Sequence, residues 1–152
     1  AGIHRWTTAS RGDSSAISAD TFKIAMFTNS SSIDADTTGY TTSNEVSGTN
    51  YTAGGNSLGS VTNGLADNSS SVPTAFLDFA DSTWSTSTIS SARGALIYNS
   101  TLSGASTGST TTAAAYPAGA VINFGGDKSS SAGDFTIQFP ANDANNAIIR
   151  IS

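Results

Sequence analysis

With 152 residues, a net charge of −5 and a pI near 4.4, the chain is long enough for one hydrophobic core and short for two. Only 11% of it is charged, and with aromatic and branched residues in clusters this excludes a disordered chain. The acidic balance excludes the Lys and Arg clusters of a nucleic-acid footprint, the absence of cysteine excludes disulfides and thiolate metal sites, and no apolar run approaches the ~20 residues of a membrane span.

Residues 1–19 are small or polar apart from Ile3, Trp6 and Ile17, and they gather His4, Arg5 and Arg11 in an otherwise acidic protein. They read as an extended arm ahead of a domain at 20–152. Thr21-Phe22-Lys23-Ile24-Ala25-Met26-Phe27 has apolar side chains on both faces, which predicts a covered central strand. A short helix is expected at 34–45. Weaker strands are expected at 46–52, 58–63 and 86–90, where β-branched residues alternate with Ser and Gly.

Thr74-Ala75-Phe76-Leu77-Asp78-Phe79-Ala80 places Ala75, Leu77 and Phe79 on one face by the period of two, with Asp78 directed outward. Gly94-Ala95-Leu96-Ile97-Tyr98 and Ala120-Val121-Ile122-Asn123-Phe124 read as buried strands. Between them, 100–117 is a low-complexity Ser/Thr/Gly/Ala loop, longer than a hairpin needs. Gly125-Gly126-Asp127 and Ala132-Gly133-Asp134 tolerate positive φ, so Phe124 to Phe135 reads as a long-looped hairpin. Asp134-Phe135-Thr136-Ile137-Gln138-Phe139 alternates as a half-exposed antiparallel strand does, and Ala147-Ile148-Ile149-Arg150-Ile151 forms a further strand. The expected fold is all-β, a single antiparallel β-sandwich of jelly-roll-like form, with an extended N-terminal arm and a long Ser/Thr-rich loop.

The inventory of reactive groups points to holding rather than transforming. His4 is the one histidine and Glu45 the one glutamate, so Asp alone is well stocked for acid–base work. A Ser–His–Asp triad needs His4 as base, and so near a free end it is poorly placed for a rigid constellation. Asp78 and Asp81 could be paired carboxylates, although the alternation sets Asp78 on a solvated strand face. Asp34-Ala35-Asp36 lacks the rest of a calcium loop and reads as a turn, with an incidental cation as the alternative.

Arg11-Gly12-Asp13 spells an adhesion tripeptide that arises often by chance, and the four Asn-X-Ser/Thr matches follow from composition. Trp84 reads as core or cap. Trp6 lies beside Arg5, and Trp and Arg are the types enriched at interface hot spots. Arg5, Trp6 and Arg11 are therefore the candidate partner-binding residues, with no catalytic, metal or cofactor site assigned.

Three stretches carry a likeness when taken in order. They are Thr42-Ser43-Asn44-Glu45-Val46-Ser47-Gly48-Thr49-Asn50-Tyr51-Thr52-Ala53-Gly54-Gly55; Phe79-Ala80-Asp81-Ser82-Thr83-Trp84 running on to Ala92-Arg93-Gly94-Ala95-Leu96-Ile97-Tyr98; and Phe124-Gly125-Gly126-Asp127-Lys128 followed by Gly133-Asp134-Phe135-Thr136-Ile137-Gln138-Phe139. The series resembles small virion structural proteins of tailed bacteriophages, of the head decoration or cement type, from about Thr21 to Ile151. The arm 1–19 and the length of 100–117 depart from that pattern. The resemblance implies a non-enzymatic protein of the outer capsid surface, bound to the major capsid protein and assembled as a homotrimer or other homo-oligomer, without nucleic acid or membrane partners. A tail or fibre component, and a carbohydrate-binding or cell-adhesion module, are the rival readings.

Overall fold

Every regular element of the computed structural model is a β-strand, across the described residues 9–10, 16–17, 20–59, 62–102 and 115–152. Strands β1 (Ala9–Ser10) and β2 (Ala16–Ile17) pair with each other in an antiparallel ribbon. The body follows with β3 (Phe22–Thr28), β4 (Gly48–Thr49), β5 (Asn56–Leu58), β6 (Thr62–Asp67), β7 (Pro73–Asp78), β8 (Ser82–Asn99), β9 (Ala118–Ile137) and β10 (Ile149–Ile151). They make two antiparallel sheets, one of five strands and one of three, consistent with the expected β-sandwich.

β3 is the covered strand its composition predicts. It lies between β8 and β5 and sends Phe22, Ile24 and Met26 into the main core. Their companions there are Leu58, Trp84, Ile89, Ala95, Ile97, Phe135 and Ile137 from the same sheet, and Leu77 from the other. Its alternate residues, Ala25 and Phe27, face the other way into a second small core with Leu96 and Tyr98. Residues 33–40 roof that outer face, with Ile33 and Tyr40 packed on it. Burying such side chains contributes roughly 1.5–3 kcal/mol each, so β3 anchors both layers.

The roof is not helical. Thr37 Oγ1 accepts from the Asp34 amide at 2.8 Å, and Asp34 Oδ1 accepts from the Asp36 amide at 2.9 Å. These side chains engage the amides that a helix would use, and the short helix expected at 34–45 is replaced by turns. The turn-making role read for Asp34 and Asp36 is what the structure contains.

β8 and β9 correct the hairpin expected between Phe124 and Phe135. Both ends of that stretch pair with the same strand, Asn123 with Gly94 and Phe135 with Trp84. Gly125 does adopt a positive φ of 72°, but it serves a bulge within one continuous strand rather than a reversal. The strand predicted at 86–90 likewise merges with that at 94–98. Thr86 and Ser91 have φ of 50° and 55° where the β8–β9 register slips. Each slip changes the parity of the inward residues, from Trp84 to Ile89 to Ala92. The expected strand at 46–52 shortens to β4 because the Tyr51 amide turns back to Gly48 O, and the one at 58–63 separates into β5 and β6.

In the three-stranded sheet β7 lies between β10 and β6. Gly64 faces Phe76 across the β6–β7 pair, and the ring occupies the space a Cβ would need. Leu77 turns inward as expected, but Asp78 is only 1% exposed rather than solvated. Thr74, on the same face of β7, is equally buried. The period of two assigns a residue to a face and says nothing about what covers that face. Asp78 Oδ1 accepts from the Phe79 amide at 2.9 Å, and Oδ2 has no hydrogen-bond partner among the described residues.

Candidate functional site

The polar centre of the molecule is its one glutamate. Residues 44–46 run alongside β3, with Thr28 N–H donating to Asn44 O and Val46 N–H to Met26 O, both at 2.9 Å. That pairing fixes Glu45 at the strand edge. Its Oε2 accepts from the Tyr40 hydroxyl at 2.6 Å. Its Oε1 accepts from the Tyr51 hydroxyl and from the Gly54 amide, each at 2.7 Å. Tyr51 Oη in turn accepts from the Met26 amide at 2.9 Å, and its ring stacks on buried Trp84 at 5.8 Å. Charge-assisted bonds of this length are the stronger kind.

All four tyrosines of the chain meet around this carboxylate. Tyr40 stacks on Tyr98 with centroids 4.5 Å apart and planes at 16°, and Tyr116 meets both rings edge-on. The Tyr98 hydroxyl donates to Gly54 O at 2.8 Å. Burial first, and then the charge of Glu45 and the neighbouring Tyr116, push the Tyr98 phenol up to about 12. Tyr40 and Tyr51 are raised well above the usual phenol range, by burial and then by their hydrogen bonds to Glu45. All three remain protonated donors at neutral pH.

Two glycines make the arrangement possible. Gly55 has φ of 67°, and a Cβ there would fall onto the Ile24 carbonyl. Gly54, at φ of 91°, leaves open the space toward which Tyr98 Oη, Lys23 Nζ and Tyr40 Oη converge. Lys23 stands directly across the β3–β8 pair from Tyr98. The result is a cleft of about 320 Å³ lined by Lys23, Tyr40, Ala53, Gly54, Tyr98, Ser100 and Tyr116.

The cleft adjoins the roots of both segments that the sequence marks as arms. Asn99 Nδ2 donates to Asp20 Oδ2 at 2.7 Å, and the Thr21 amide donates to Thr101 Oγ1 at 2.7 Å. The Tyr116 amide donates to Leu102 O at 2.7 Å. The chain on either side of 103–114 and the chain following 1–19 therefore meet at one pole of the body.

Of the residues singled out in the sequence, Arg5, Trp6, Arg11 and His4 lie outside the described residues. Asp78 is buried, and exposed Asp81 accepts from the Phe139 amide at 2.9 Å. Trp84 is core, edge-on to Phe135. Among the described residues no group of three or more His, Asp and Glu is arranged to hold a metal ion. Sequence reasoning missed the tyrosine cluster. Its one available signal was a unique Glu nine residues before Gly54-Gly55. No family model, curated protein or solved structure matches the chain.

Proposed function

We propose that the chain is a non-enzymatic structural protein of a tailed-phage virion, a capsid decoration or cement protein that binds and stabilises the major capsid protein lattice from its outer surface. The observation that carries this reading is the shared pole from which 1–19 and 103–114 depart, set by the Asp20–Asn99, Thr21–Thr101 and Leu102–Tyr116 contacts. A body that offers two segments from one end can engage adjacent subunits of a lattice at once, and repetition over many sites lets modest contacts hold firmly.

The stretch that carries the family resemblance supports the same reading. Glu45, Tyr51, Gly54 and Gly55 are engaged in internal contacts, as a rigid scaffold requires. An extended arm docking through Arg5, Trp6 and Arg11, a jelly-roll-like winding and a homotrimer at threefold positions complete the proposal.

Mass spectrometry on purified virions carrying this chain, with empty heads separated from tails, tests it. Many copies per particle, retained on empty heads, are expected. A few copies travelling with tails would make it a tail or fibre component. Absence from both would leave the carbohydrate-binding or adhesion module.

A further inference from the structure

β9 is paired with a strand along one side only, that of β8, and its other side carries no strand among the described residues. The Asn99 amide donates to Pro117 O, which sets the alternation of β8. Asn99, Ile97 and Ala95 turn their main-chain groups toward β9, and the partners of Ile97 and Ala95, Ala120 and Ile122, turn theirs back. The amides and carbonyls of Val121 and Asn123 therefore point outward from the sheet edge.

Both ends of this open stretch are stopped. At one end the roof closes it, through the Gly39–Pro117 bridge and the Ala118 amide, which donates to Thr38 O at 3.0 Å. At the other the strand bulges between Asn123, opposite Gly94, and Lys128, opposite Ala92. The opening is thus 119–123, centred on Val121. Natural edges are guarded by Lys, Pro or a bulge. This stretch contains none of them, and no charged residue stands anywhere from Gly94 to Gly126.

We infer that this edge pairs with the same edge of a second copy, antiparallel about a twofold axis at Val121. That centre sets Val121 against Val121, Ile122 against Ala120 and Asn123 against Gly119. On the outer face Val121, 36% exposed, is covered by its counterpart. On the inner face Ala120 and Ile122, packed at the margin of the main core, continue it across the axis. Asn123 of the second copy passes over a residue without a side chain, toward the cleft of about 520 Å³ between Gly119 and the roof at Ile33 and Thr37. The segment is its own complement on both faces, as an isologous contact requires.

Charge favours the same occupant. Residues 20–152 carry four basic side chains, Lys23, Arg93, Lys128 and Arg150, against ten acidic ones. Two copies therefore repel each other over most of their surfaces and approach best at a neutral edge. The contact is twofold, so it is additional to the threefold assembly proposed above and does not rest on the virion reading.

The chain has no cysteine, so single introduced thiols report the pairing in the purified protein. Directly opposed Cα atoms of a hydrogen-bonded antiparallel pair stand about 5.5 Å apart, within disulfide reach. In a glutathione redox buffer two Cys thiols close to a disulfide, and oxidised glutathione takes up their two electrons and two protons to become two thiols. Val121→Cys is expected to give a covalent dimer at least about tenfold faster than Leu65→Cys, because paired thiols meet at an effective concentration far above that of free encounter. Leu65 is 75% exposed, so chance collision alone would favour it. Mixing Gly119→Cys with Asn123→Cys reads the register: the two should link to each other faster than either links to itself. Val121→Cys linking no faster than Leu65→Cys, or a mixed pair without that preference, would each overturn the inference. A chain absent from virions yet linked through Val121 removes the capsid reading and leaves this contact standing.

Discussion

Glu45 satisfies three donors at once, the hydroxyls of Tyr40 and Tyr51 and the amide of Gly54. Glu45→Ala leaves all three without their acceptor and is expected to lower unfolding stability by about 3 kcal/mol. Glu45→Gln, which keeps one acceptor oxygen, should cost about 1 kcal/mol; urea denaturation of both variants checks the order. The phenols themselves predict an alkaline transition. Tyr98 is raised in the folded state from 10.0 to about 12, so above pH 10 the unfolded chain loses its proton first. The stabilisation is complete below pH 10 and is lost as pH rises through about 12. Denaturation midpoints should hold steady from pH 7 to 9 and fall beyond 10, in step with the tyrosinate absorbance. A flat midpoint across that range would contradict this burial of the cluster.

At the scale of elements, the bulges of β8 make a different claim. Thr86 is β-branched and sits at φ of 50°, a conformation that costs an L-residue roughly 1–2 kcal/mol. The contacts that hold it use its backbone: its amide donates to Asp134 Oδ1 and its carbonyl accepts from Asn50 Nδ2. Thr86→Gly keeps both and relieves the strain, so it should leave thermal stability unchanged or raised. In an ordinary strand the same exchange costs about 1 kcal/mol or more.

These bulges also mark the limit of what the chain's pattern conveys. The runs at 21–27, 74–80, 94–98 and 134–139 were legible because period and branching are local properties. Their joining into two long strands was not, since Thr86 and Ser91 carry no compositional sign of a positive φ. Glycines at 125 and 126 look the same whether they close a hairpin or accommodate a bulge. The candidate site was hidden for a related reason. Tyr98 is placed by the β3–β8 pairing, and Tyr116 meets Tyr40 through the Gly39–Pro117 bridge and the Tyr40 N–H bond to Tyr116 O at 3.0 Å, long-range pairings that periodicity does not reveal.

Across the described residues, two cores lie on opposite faces of one five-stranded sheet, and its strands β3 and β8 bring their ends, Phe22 and Asn99, together at the pole beside Asp20 and Thr101. If the arm docks as proposed, replacing Arg5 and Trp6 together by alanine should reduce the copy number on purified heads while the free protein keeps its melting temperature. Unchanged occupancy would remove the arm from the interface.

That end-on attachment has a mechanical consequence. A pull delivered through residue 20 runs along the axis of β3, while its ladder to β8 from Phe22 to Thr28 is directed across that axis. The bonds are then loaded together in shear, instead of being peeled open one after another. With the body held at its far end, a tether entering at this point would resist tension with the whole strand.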